Sequence, residues 1–163
     1  MDIRERSQDQ RGKLEELVEK IPGYKGYADR ERRRDSDKLQ RELLSARLHE
    51  AKRLVSGRIQ ELSRQGNLAL LTPVNAIQQR LERLAGEILY ADRGYSGFFD
   101  LLKIKEAELD RVYALDATLL EQGNALPELV KTDPTFAALN AALDELETGL
   151  KRRVALLKGM NQE

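Results

Sequence analysis

Apolar side chains recur along this chain at spacings of three and four, and the stripes they draw predict helices almost throughout. The clearest runs Phe136, Leu139, Leu143, Leu146, Leu150, Val154, Leu157, with steps of 3, 4, 3, 4, 4 and 3. Thr132-Asp133-Pro134 precedes it as an N-cap with proline in the first turn. Thr72-Pro73 gives the same start signal for a stripe of Ile77, Leu81, Leu84 and Ile88 that ends near Tyr90. Between these, a helix opening near Gly97 carries Phe98, Leu102, Leu109, Val112, Leu115 and Leu119, and Gly123-Asn124 reads as its stop.

Ahead of Thr72, a long helical pattern runs from about Tyr27 to Arg64 and ends at Gly66-Asn67. Leu44, Leu48, Ala51, Val55, Ile59 and Leu62 give its second half a core face, whereas Ala28 to Lys38 (ADRERRRDSDK) holds no large apolar residue. A shorter N-terminal helix, roughly Gln10 to Lys20, offers Leu14, Leu17, Val18 and Ile21 before Pro22-Gly23 breaks it.

Short connections make sequential helices antiparallel. The expected fold is therefore all-α: an antiparallel up-and-down bundle of about four core helices, with a long second helix and an N-terminal helical arm. The boundary is placed at residue 41, giving an arm over 1–41 and a bundle over 42–163. If straight, the long helix outruns its neighbour by about 30 Å at 1.5 Å per residue, and the overshoot should project as a basic arm.

At 163 residues the chain is long enough to bury a real core. It has no cysteine, which excludes disulfides, thiolate zinc sites and cysteine nucleophiles and suits a reducing compartment. No apolar run approaches the roughly 20 residues that cross a bilayer, and the opening MDIRERSQDQRGK lacks the apolar stretch of an export signal. The expected location is cytoplasmic, with a membrane-peripheral variant kept open by the arm.

The formal charge is zero, but it is unevenly spread: Lys20 to Arg64 carries a net +6 and Phe99 to Glu147 a net −7. The two segments can attract each other across a fold, so the basic excess does not by itself require a polyanion.

Two heptapeptides, GYKGYAD at 23–29 and GYSGFFD at 94–100, repeat the pattern G-Y-x-G-aromatic-x-Asp and hold five of the eight aromatic residues. Paired glycines permit a tight reversal, and the aspartate suits the positive start of a helix. Each is a helix-start cassette. Its aromatics either staple a bundle end or anchor a partner, since rigid aromatics dominate binding hot spots. The candidate partner-binding residues are Tyr24, Tyr27, Tyr95, Phe98 and Phe99, with Arg30, Arg33 and Arg34 from the basic cluster, and the first cassette is the favoured one because its surroundings look too polar to bury it.

Catalytic signatures are absent from the sequence. The single histidine, His49, has no ligand-forming company, no Glu-x-x-His pair occurs, and no phosphate-binding glycine loop is found. Neither a cofactor, a metal nor a small-molecule substrate is implied. The expected function is a non-enzymatic adaptor or scaffold that binds another protein or its own copy. The alternative is an anionic membrane surface or polyanion bound through the arm, and acids interleaved at Asp29, Glu31, Asp35 and Asp37 argue against nucleic acid.

Overall fold

A computed structural model describes residues 3–90, 106–132 and 135–160. They form five α-helices: α1 (Ile3–Lys20), α2 (Arg33–Arg64), α3 (Leu68–Leu89), α4 (Glu106–Thr132) and α5 (Ala137–Met160), with one 3-10 turn, Arg30–Arg32, leading into α2. No strand occurs among the described residues, and the all-α bundle expected from the periodicity is the fold.

Helices α2 to α5 alternate in direction. Ser45 of α2 bonds the carbonyl of Ala85 while Ser56 meets Gln78, so α3 runs back along α2. Gln40 reaches the carbonyl of Asp116 and Arg47 reaches Asn124, so α4 runs with α2. Their shared core contains Leu44, Leu48, Val55, Leu81, Leu119 and Leu143, all 0–1% exposed. The predicted stripes of α2 and α3 face it, and so does that of α5 from Phe136 to Leu150.

The N-terminal helix does not project. It lies along α4, where Leu17 and Ile21 join Tyr24, Tyr27, Val112, Tyr113, Ala117, Leu120 and Leu157 in a second buried cluster. Leu39 and Leu43 of α2 pack on the same cluster. Residues on both sides of position 41 thus share this core. The stretch 28–38 is indeed too polar to cover the apolar side of α1, but α4 and the C-terminal part of α5 supply the cover. At 32 residues against 22, α2 outreaches α3 by about 15 Å, and the second core fills that step.

Three local expectations are corrected. Helix α3 begins at Leu68, so Pro73 lies inside it. Helix α4 passes through Gly123-Asn124 and Pro127 to Thr132: Gly123 is buried, and a Cβ there would stand 2.8 Å from Leu44 Cδ2, so the glycine permits close approach of α4 to α2. Phe136 precedes α5 with φ of 57°, an uncommon conformation for a bulky residue, held by its 1% exposed ring in the core and by Asn140 N–H donating to its carbonyl. The expected start of α4 near Gly97 lies outside the described residues, as do Asp133 and Pro134.

Candidate functional site

Where the two cores meet, a layer of polar side chains crosses the molecule. The segment leaving α1 turns at Gly23 (φ 86°) and Gly26 (φ 83°) and runs back beside the start of α2, with Lys25 N–H donating to Ser36 Oγ at 3.1 Å. This places Tyr24 and Tyr27 inside, with their rings edge to face at 6.0 Å. Tyr27 stacks on Tyr113 at 5.8 Å, and its N–H donates to the Tyr113 hydroxyl at 2.8 Å. A side chain at Gly26 would collide with that hydroxyl, since a Cβ there would lie 2.6 Å from it.

The Tyr27 hydroxyl donates to Asp116 Oδ2 at 2.7 Å and accepts from Arg153 Nη2 at 2.8 Å. Arg153 Nε donates to Asp116 Oδ1 at 2.8 Å, and its Nη2 pairs with Asp37 Oδ1 at 2.6 Å. The other Asp37 oxygen accepts from Arg41 Nε at 2.8 Å, and Arg41 Nη1 donates to the Leu89 carbonyl at 2.9 Å, capping the C-terminus of α3. Arg41, Asp37, Arg153 and Asp116 form an alternating row whose charges cancel. All four are buried.

Such burial is tolerable because each charge has a partner of opposite sign within hydrogen-bonding distance. Burial opposes the charge of Arg153, but Asp116 foremost, then Tyr27 and Asp37, favour its ionised guanidinium and raise it well above the ordinary range. Burial raises the Tyr27 phenol well above its ordinary value despite Arg153. It raises the phenols of Tyr24 and Tyr113 as well.

Beside this layer, the seam between α3 and α5 opens into a cavity of about 340 Å³. Leu44, Leu84, Ile88, Leu150 and Val154 make apolar walls, with Arg153 beneath them and Lys151 at the mouth. Farther along the seam Glu147 holds the helices together through Arg80 and Arg83, each at 3.1 Å. Both arginines keep its carboxyl below the usual range against the opposing effect of burial.

The expected partner-binding residues are placed as follows. Tyr24 and Tyr27 are 1% and 0% exposed and serve the second core as staples. Arg33 is buried, its Nε donating to the Tyr27 carbonyl at 2.6 Å, and Arg34 is exposed. Arg30 belongs to the 3-10 turn, and its side chain is outside the described residues, as are Tyr95, Phe98 and Phe99. The structure thus joins Tyr27 and Arg33 in one buried cluster and turns Arg34 away. Asp116 and Arg153 escaped the sequence reading, although each falls in register with an apolar stripe, and Asp37 entered it only as one of the acids interleaved with the arginines.

Among the described residues, no group of three or more histidine, cysteine or acidic side chains could hold a metal ion, and no helix is long and apolar enough to cross a membrane. Comparison with known proteins finds no matching family model, no matching curated protein and no matching solved structure.

Proposed function

We propose that the chain is a non-enzymatic interaction module, an adaptor or scaffold that holds another protein or a second copy of itself on its helical faces. The observation that carries this reading is apolar surface left outside at the tip of the α2–α3 hairpin, where Leu68 is 72% and Leu70 45% exposed. These two lie on the opposite end of α3 from the polar layer, and their exposure costs stability that a bound partner would return. The buried charged groups support the non-enzymatic part, because the carboxylates Asp37 and Asp116 are held in ion pairs with Arg41 and Arg153 rather than standing free as an acid or base. The membrane-surface alternative draws less support: Arg33 and Arg41 point inward, and Arg32 pairs with Asp29 at 3.3 Å.

A photo-crosslinking amino acid at position 70, introduced in the cell of origin, tests the reading. A discrete adduct is expected, from either a second copy or another protein, and none from a control at the exposed Glu82 on the same helix. Equal, diffuse labelling from both positions, or no adduct from position 70, would sink it.

A further inference from the structure

The cavity between α3 and α5 has a polar component that the fold does not consume. Arg153 is a buried side chain, 10% exposed, whose Nε and Nη2 are committed to Asp116, Tyr27 and Asp37. Among the described residues Nη1 is the nitrogen of its guanidinium without a partner, and Arg153 lines the cavity. The acids at the mouth are already engaged: Glu87 with Arg83, Glu147 with Arg80 and Arg83. Lys151, two residues before Arg153 and at the same opening, enters no ion pair among the described residues. The walls are mainly aliphatic, with Gln40 and Arg41 of α2 adding polar groups to them, and the volume falls at the lower end of the roughly 300–1,000 Å³ of small-molecule sites.

We propose that this cavity is a binding site for a small monocarboxylate with an apolar body, its chain among Leu44, Leu84, Ile88, Leu150 and Val154 and its carboxylate between Arg153 Nη1 and Lys151. An oxygen anion suits the site for two reasons. A guanidinium nitrogen with free N–H groups in an apolar surrounding forms charge-assisted hydrogen bonds, which are stronger than neutral ones. The buried row is also neutral in itself, so the positive charge of Lys151 is what offsets the incoming negative one. A cationic ligand would meet the unpaired charge of Lys151, and a wholly apolar one would leave Nη1 without an acceptor.

Titration calorimetry of the full chain with octanoate tests the assignment, with octanol as the neutral probe of equal chain length. Saturable one-to-one binding of octanoate is expected, at least tenfold tighter than octanol. Lys151→Glu, an exposed substitution, should weaken octanoate at least fivefold and leave octanol unchanged. Val154→Trp, at a half-buried wall position, should abolish both while the far-ultraviolet spectrum stays helical. Because the chain has no tryptophan of its own, the fluorescence of that residue also reports whether it has entered the apolar cleft. Absence of saturable octanoate binding, as for a cleft closed by another part of the protein, overturns the proposal. So does octanoate binding that survives Val154→Trp unchanged, which would place the ligand elsewhere. Equal affinity for octanoate and octanol overturns the carboxylate recognition.

Discussion

Tyr24 and Tyr27 are equally buried, yet their hydroxyls have different consequences. The Tyr27 hydroxyl both donates to Asp116 and accepts from Arg153, whereas the Tyr24 hydroxyl has no hydrogen-bond partner among the described residues. Removing a hydroxyl that satisfies buried charged groups costs about 1–3 kcal/mol, while removing an unbonded one costs little. Tyr27→Phe should therefore lower the unfolding free energy by about 2 kcal/mol in a denaturant titration, and Tyr24→Phe by less than about 0.5 kcal/mol. Equal losses would show that the rings, not the hydrogen bonds, hold the layer. Gly26→Ala combines a left-handed backbone, costing roughly 1–2 kcal/mol for a residue with a Cβ, with displacement of the Tyr113 hydroxyl from the Tyr27 amide. The loss should reach about 2–3 kcal/mol, and Tyr113→Phe in the same protein should recover part of the steric share.

Each helix was legible to the extent that its buried face is apolar. The stripes Ile77–Leu81–Leu84–Ile88 and Leu139–Leu143–Leu146–Leu150 predict which faces turn inward because water alone sorts them. The first half of α2 was illegible for the same reason: its buried face continues in phase from Leu44 through Arg41, Gln40, Asp37, Ser36 and Arg33. Read by hydrophobicity, that face looks like solvent. Its partners Asp116 and Arg153 sit in the stripes of α4 and α5, 37 residues apart and contributed by different helices, so no local spacing betrays the pairing. The usable signal was charge standing in register with apolar neighbours, as Arg153 does between Leu150 and Leu157. Stop signals misled where close packing mattered more, as at Gly123 against Leu44. Arg153→Met leaves Asp37 without its α5 partner and Asp116 without any cation, and should cost about 3–5 kcal/mol. Pro73→Ala restores an amide inside α3 at an exposed position and should raise stability by about 1 kcal/mol, less than the roughly 3 kcal/mol of a mid-helix proline because it lies near the helix start. A lower melting temperature for Pro73→Ala would mean that the turn before it depends on the proline.

For the molecule as a whole, the raised phenols of Tyr24, Tyr27 and Tyr113 set an alkaline limit. Burial is the main cause in each case, and an unfolded tyrosine titrates near 10. Below that pH both states hold these protons and the contribution is complete. Above it the unfolded chain releases protons that the folded one retains, so stability falls as pH rises. In a Tyr90→Phe, Tyr95→Phe background, phenolate absorbance should appear together with loss of helical circular dichroism; absorbance rising well before unfolding would mean that these phenols are reached by water in the folded protein. The second core also depends on distant segments, since Tyr27 meets Arg153 across 126 residues. That span has a consequence for synthesis. While the chain emerges from the ribosome, Leu17, Ile21, Tyr24 and Tyr27 are out long before their partners Arg153 and Leu157. The apolar face of α1 and the turn after it must therefore wait uncovered while the intervening residues, 126 from Tyr27 to Arg153, are made.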